Sequence, residues 1–149
     1  MKCPFCGNKD TKVIDSRVMG DGYSVRRRRE CPKCRARFST KEELEIFDLI
    51  VIKRDGRREP YQREKLILGI KKALEKRPYE YEEFWKLIKK IEIEIQSYQK
   101  PEIKSEVIGE IVMKHLKKFD KVAYVRFASV YKSFEDVEEF KKEIEKLKK

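Results

Sequence analysis

The sequence predicts an α+β chain in two parts. A small metal-stapled hairpin unit comes first. A β-hairpin laid on a helical bundle follows, ending in a C-terminal helix. Three observations carry this expectation. All four cysteines lie in two CxxC pairs, Cys3-Pro4-Phe5-Cys6 and Cys31-Pro32-Lys33-Cys34. An Asp55-Gly56 turn signal follows a β-branched run. Beyond it, apolar residues recur at helical spacing to the end of the chain.

A CxxC turn presents two thiolates at the spacing that tetrahedral Zn²⁺ requires, and two such turns make a four-sulfur site of Cys3, Cys6, Cys31 and Cys34. The gap between the pairs is somewhat longer than the usual zinc-ribbon template, but it suits a hairpin between two knuckles. A redox CxxC needs a helix start in a βαβ context, which this charged hairpin does not offer. Disulfides are rare in reducing compartments, and the chain shows no signal peptide. One structural zinc per chain is therefore expected. A unit of about 40 residues rarely folds without such a staple.

Between the knuckles, Val13-Ile14, Gly20-Asp21-Gly22 and Tyr23-Ser24-Val25 read as strand, turn, strand. The second strand runs into Arg26, Arg27, Arg28 and Arg29. Side chains alternate across a strand, so two arginines are expected on each face, both faces pointing outward. Residues 1–40 hold 11 basic against 4 acidic residues, an excess of +7 in a chain whose net charge is +11. Four thiolates on one Zn²⁺ remove only about two of those charges. With Arg17 on the facing strand, the unit reads as a double-stranded DNA binder, since guanidinium forks suit phosphates and base edges. Tyr23 and Phe38 are expected to pack on the hairpin rather than stack on bases.

Residues 41–149 are nearly balanced, with 27 basic and 23 acidic residues. That asymmetry places a boundary near residue 45, with Lys41 to Phe47 as a connector. The limits read as 1–45 for the first unit, 49–139 for the second and 140–149 for the end of the C-terminal helix. Charged residues make up 44% of the chain, Lys and Glu foremost, a bias shared with heat-adapted proteins. No apolar run is long enough to span a membrane.

In the second part, Leu49 to Arg54 reads as a strand, Asp55-Gly56 as a two-residue hairpin turn, and Arg57 to Tyr61 as the return strand. Leu66, Ile67, Ile70 and Leu74 form a helical stripe ended by Pro78. Phe84, Ile88, Ile91 and Ile95 form the next, ended before Pro101. Ile108, Val112, His115 and Phe119 form a third, with Ser105 as N-cap. Asp120 caps a fourth helix, Lys121 to Tyr131. The Ser133-x-x-Asp136 pattern caps a last one along Val137, Phe140, Ile144 and Leu147.

No P-loop, GxGxxG or catalytic constellation is present. His115 lies on a helix stripe and reads as a packed side chain. Gly69, mid-helix, costs about 1 kcal/mol relative to Ala, and close approach of another backbone is its expected reason. Lys53, Arg54, Arg57, Arg58, Arg63 and Lys65 converge on the hairpin and the first helix start, an arrangement suited to an anion.

The run from Val51 to Lys65, VIKRDGRREPYQREK, resembles the opening of an ATP-cone, the regulatory nucleotide-binding module of many ribonucleotide reductases. An ATP-cone behind a CPFCG…RRRRECPKC zinc ribbon resembles the NrdR family of bacterial transcriptional repressors. Asp10 to Arg17 and Lys121 to Phe134 match that family's pattern too, so the resemblance covers nearly the whole chain. It implies an N-terminal zinc ribbon, an ATP-cone and a C-terminal helix. It also implies a repressor that binds paired operator boxes upstream of ribonucleotide reductase genes. In such a protein ATP or dATP, with Mg²⁺, sets a homo-oligomeric state and through it DNA binding. By motif position, Lys53 and Lys65 meet the phosphates with Arg54 assisting, Val51 and Glu59 line the adenine, and Tyr131 closes the pocket. The implied location is cytoplasmic and nucleoid-associated, and no catalysis is implied.

Two other classes stand beside this one. A detached reductase fragment or an enzyme is disfavoured by the zinc ribbon and by the lack of a catalytic domain. A general zinc-ribbon nucleic-acid binder with an unrelated helical partner domain would show no dATP-sensitive operator preference.

Overall fold

The computed structural model describes residues 1–20, 22–43 and 48–147. The turn residue Asp21, residues 44–47 of the expected connector and the terminal 148–149 lie outside the described residues. The chain divides into two compact units, Met1–Glu45 and Ile46–Lys149. Among the described residues there are five helices and two three-stranded sheets, so the class is α+β. No helix among them is long and apolar enough to cross a membrane.

The first unit is an antiparallel sheet of β1 (Lys12–Val18), β2 (Ser24–Glu30) and β3 (Arg37–Glu43), in that order. The first two strands are those the sequence predicts, and β3 is an addition to them. Lys41–Glu43, expected as the start of a connector, are the end of that strand. The register slips between Val13 and Asp15, a bulge in the edge strand β1. Cys3, Cys31 and Ser24 are the unit's buried side chains among the described residues, so it has almost no apolar core.

The second unit begins with β4 (Ile50–Ile52) and β5 (Arg58–Pro60), antiparallel, followed by α1 (Arg63–Ala73) and α2 (Tyr81–Ser97). A short strand absent from the sequence reading, β6 (Glu102–Lys104), pairs parallel to β4 on its other side. A parallel neighbour needs a crossover, and α1 with α2 supply it. Then come α3 (Ser105–Phe119), α4 (Lys121–Tyr131) and α5 (Val137–Glu145). The hairpin turn is wider than the expected two residues. The Lys53 N–H bonds the Arg57 carbonyl, Gly56 N–H reaches back to Lys53, and Gly56 takes φ +83°, so Arg54-Asp55-Gly56 form a three-residue loop.

The stripes of α1, α2 and α3 meet in one core, while of the expected last stripe Leu147 joins it, Phe140 and Ile144 are half-buried and Val137 is exposed. Ile70, Leu74, Phe84, Ile88, Ile91, Ile95, Val112 and Leu116 are all nearly or wholly inaccessible. Asp120 caps α4 as the sequence suggests, whereas α5 is capped by Asp136 itself and not through the expected Ser133-x-x-Asp136 box, the Ser133 hydroxyl donating instead to the Val130 carbonyl. Asp120 accepts from Ala123 N–H at 2.8 Å, and Asp136 accepts from Glu139 N–H at 2.8 Å. Asp120 also takes Arg77 at 2.8 Å, which ties the exit of α1 to the start of α4. The expected Ser105 cap is not formed. Ser105 is already the first helical residue, Lys104 holds the cap position, and no side chain caps there, because β6 runs directly into α3. His115 is largely covered and hydrogen-bonds Glu94 at 2.8 Å.

The last helix is held by a buried carboxylate. Glu143 of α5 accepts from the Tyr124 hydroxyl and pairs with Lys132 at 2.8 Å and Lys146 at 2.9 Å. Lys117 and Lys121 donate to the carbonyls of Lys146 and Leu147, where a helix C-terminus favours cations.

Burial by itself would raise the Glu143 pKa. The bonds from Lys132, Tyr124 and Lys146 outweigh it and bring the pKa from 4.5 down to about 2. A folded pKa below the unfolded one stabilises above the unfolded value, and that stabilisation disappears as pH falls through the folded value. Glu143→Gln is expected to cost on the order of 1–3 kcal/mol near neutral pH. Urea titrations should show the wild type's margin over the variant shrinking as pH drops from about 5 toward 2.

Candidate metal centre and nucleotide site

The two knuckles share one backbone pattern. Cys3 N–H bonds the Asn8 carbonyl and Gly7 N–H bonds the Cys3 carbonyl; Cys31 and Ala36, and Arg35 and Cys31, repeat both bonds. The fifth residue of each turn is left-handed, Gly7 at φ +71° and Arg35 at +62°. A non-glycine residue there carries strain, which bonds on both sides hold in place. Each turn thus points two sulfurs the same way.

The four sulfurs converge. Cys3 and Cys34 are 3.7 Å apart, Cys6 and Cys31 are 3.6 Å apart, and all four lie within 4.8 Å of one another. Sulfurs about 2.3 Å from a common tetrahedral centre stand about 3.8 Å apart, whereas a disulfide would need about 2.05 Å. The donor set is therefore that of a structural Zn²⁺ and closed to a fifth ligand. Backbone N–H groups of Cys34 and Lys33 point at the Cys31 sulfur and, against the effect of burial, hold its pKa below the usual thiol range, while burial and the neighbouring thiols hold that of Cys34 above it. Such N–H···S contacts favour the thiolate that a metal binds.

The arginines of β2 are not all presented alike. Arg26 and Arg28 are exposed, but Arg27 and Arg29 are half-buried, so the expectation of two outward faces is corrected. Arg27 pairs with Glu42 at 2.9 Å, and Arg29 donates to the Thr11 carbonyl and hydroxyl at 3.2 Å each. Arg17, on exposed β1, pairs with Asp15 at 3.0 Å. Phe38 meets Phe5 edge-on with ring centres 6.4 Å apart, while Tyr23 is left exposed.

In the second unit a cavity of about 210 Å³ opens between the hairpin and α1, α3 and α4. Val51, Lys53, Glu59, Lys65 and Tyr131 all line it. Val51, Leu66 and Val112 give it a buried apolar wall; Lys53 and Lys65 remain partly exposed. Arg54 does not line the cavity. It lies over the Tyr131 ring at 5.3 Å, donates to the Tyr131 carbonyl and approaches Glu106 at 3.9 Å. The Glu59 carboxylate bridges both lysines through one oxygen, at 3.0 Å to Lys53 and 2.9 Å to Lys65. Lys65 and then Lys53 accordingly lower its pKa.

Sequence reasoning missed much of the rest of the wall. Gln62, Ser105, Ile108, Gly109 and Phe127 belong to it. The close packing expected at Gly69 occurs instead at Gly109. A methyl group at Gly69 would meet only Phe127, at 3.8 Å, an ordinary contact with a side chain and not with backbone. One at Gly109 would fall 1.9–2.6 Å from the Tyr131 ring. The signal available was the same for both: a glycine inside a helix. Tyr131 rests in the space Gly109 leaves, stacks on Phe127 at 5.9 Å and donates to the Glu106 carbonyl at 2.5 Å.

A zinc ribbon and an ATP cone in one chain define a two-module regulator. Residues 1–42 match the family model described as the N-terminal domain of NrdR-like transcriptional repressors, and residues 49–137 match that of the ATP cone domain. A protein of Pelobacter propionicus (strain DSM 2379 / NBRC 103807 / OttBd1) named transcriptional repressor NrdR is 52% identical over 149 residues, spanning 100% of this chain and 99% of its own length. The chain belongs to the NrdR family, whose members are regulators and not enzymes.

Cys31→Ser should lose stoichiometric zinc and duplex binding while leaving nucleotide binding intact. Metal analysis of protein purified without chelator, with calorimetric titration of ATP, checks this. Gly109→Ala should cost about 1–3 kcal/mol through overpacking against Tyr131 and weaken nucleotide binding; thermal melts and the same titration read both effects.

Proposed function

We propose that this protein is a nucleotide-sensing bacterial transcriptional repressor. In this reading it binds paired operator boxes upstream of ribonucleotide reductase genes, in the cytoplasm at the nucleoid. Residues 1–45 form the zinc-ribbon DNA-binding domain, 49–139 the ATP-cone and 140–149 the end of the C-terminal helix. One Zn²⁺ per chain, on Cys3, Cys6, Cys31 and Cys34, serves structure only.

The observation that most supports the reading is a single cavity that collects Val51, Lys53, Glu59, Lys65 and Tyr131. Ligand pockets typically begin at about 300 Å³. A smaller space suits base and sugar, leaving a triphosphate at the rim where the lysines stand. Lys53 and Lys65 pair with phosphates, with Mg²⁺ taking the remaining charge, and Arg54 assists from outside the wall. Val51 packs on the adenine, Glu59 accepts from its amino group, and Tyr131 closes the site. No group on the wall is set up to activate water, so the nucleotide is a signal and not a substrate.

DNA and nucleotide engage different units, and control passes through the homo-oligomeric assembly. A ligand shifts an equilibrium only by its differential affinity for the two states. ATP and dATP differ by one hydroxyl, and a hydrogen bond made or left unsatisfied is worth about 1–3 kcal/mol, a shift of about five- to 150-fold.

The two nucleotides should therefore give different oligomer distributions and different operator affinities. Lys65→Ala should weaken both ligands and blunt the difference. Native mass spectrometry beside operator titrations measures this. Identical distributions and identical DNA affinities for ATP- and dATP-loaded wild type would reject the switch.

A further inference from the structure

Over their central residues, burial gives β2 and β3 two unlike faces. In β2, Arg26 and Arg28 are exposed while Arg27 and Arg29 are half-buried; in β3, Ser39 and Lys41 are exposed while Phe38 and Thr40 are half-buried. The two alternations are independent, and the register joins them. Arg26 pairs with Lys41 and Arg28 with Ser39, whereas Arg27 pairs with Thr40 and Arg29 with Phe38. Directly opposed residues share a face. From β1, Arg17 stands opposite Arg26 and Asp15 opposite Arg28. Arg17, Arg26 and Lys41 thus form one cationic row across three strands, about 10 Å from end to end.

The other face is committed to the fold. The Nε atoms of Arg27 and Arg29 are both buried without a partner; an outer nitrogen of Arg29 is held by the Thr11 carbonyl and hydroxyl, and one of Arg27 meets the exposed Glu42. An arginine so placed cannot turn its fork to a base without leaving those partners behind. Arg26 is lightly tethered to the Ser39 hydroxyl at 3.2 Å, and Arg17 and Lys41 hold only exposed ion pairs with Asp15 and Glu43. Such pairs are weak and give way readily to a phosphate. Arg28 alone among the four strand arginines has no side-chain partner among the described residues. An unengaged planar fork is what bidentate contact with a guanine edge requires.

Building on the DNA-binding reading above, we infer that the duplex lies against the single sheet face bearing Arg17, Arg26, Arg28 and Lys41. Arg28 reads a base, the cationic row holds phosphates, and Arg27 and Arg29 brace the sheet from behind. Lys41 thereby joins the DNA-contacting set and two of the four strand arginines leave it.

The test uses the full zinc-loaded chain with two probes: a mixed-sequence duplex and duplex fragments from upstream of the ribonucleotide reductase genes. Arg17→Ala, Arg26→Ala and Lys41→Ala should each flatten the salt dependence on both probes by about 0.9 in slope. Arg28→Lys keeps the charge and should keep the slope, but should lose about five- to 150-fold in preference for the upstream fragments. Arg27→Lys and Arg29→Lys should lower the melting temperature and leave slope and preference unchanged. The inference is overturned if the wild type binds with a steep salt slope that the open-face variants do not alter. It is overturned equally if Arg27→Lys or Arg29→Lys, with wild-type zinc content and melting, loses preference as Arg28→Lys should. A wild type with no salt-dependent binding to either probe overturns the DNA-binding reading itself.

Discussion

Four sulfurs around one metal are the constraint on which the first unit depends. Its sheet has strongly charged strands and no apolar layer beneath them; the buried side chains among its described residues are two ligand cysteines and a serine. Burial of that kind cannot offset the conformational entropy of ordering some 40 residues. Metal binding can, since a structural zinc contributes its free energy directly to folding. Relieved of a core, the strands are free to carry arginines where another small sheet would need valine and isoleucine. Stability from the metal and charge on the surface are two sides of one arrangement.

The second unit depends on packing, and its site follows from topology. Val51 and Ile103 sit opposite each other in the parallel pair β4–β6, and both are buried. Because β6 passes into α3 without a loop, Ser105, Ile108 and Gly109 are delivered to the cavity beside the hairpin. The same direct junction puts Lys104 in the cap position and makes Ser105 the first helical residue, so no side chain caps α3.

What was legible in the sequence was local chemistry. CxxC spacing, the helical periods of α1, α2 and α3 and the aspartate cap at Asp120 each report on a few neighbouring residues, and the structure contains them. What was not legible depended on partners far along the chain. The strand β6 is three residues long, too short for a period, and exists only because β4 lies beside it. Gly69 and Gly109 look alike in sequence, and only the position of Tyr131 separates them. The alternation of Arg26–Arg29 was readable as a period of two, but which pair would be covered needed β3 and its register. Most of the candidate nucleotide residues were reached through a motif; the remainder of the cavity wall comes from helices that no hairpin motif describes.

One carboxylate oxygen of Glu59 already satisfies both Lys53 and Lys65. If those lysines are the phosphate ligands, nucleotide entry is an exchange of one anion for another and not the filling of bare positive charge. The lysine side chains are already gathered, so less rotamer entropy remains to be lost on binding. The incoming group must also outcompete a tethered carboxylate, whose effective concentration is high because it cannot diffuse away. A single weak anion gains little from such a trade. A polyphosphate, able to replace one acceptor with several, gains much more, so a site of this kind selects for charge density before any contact with the base is made.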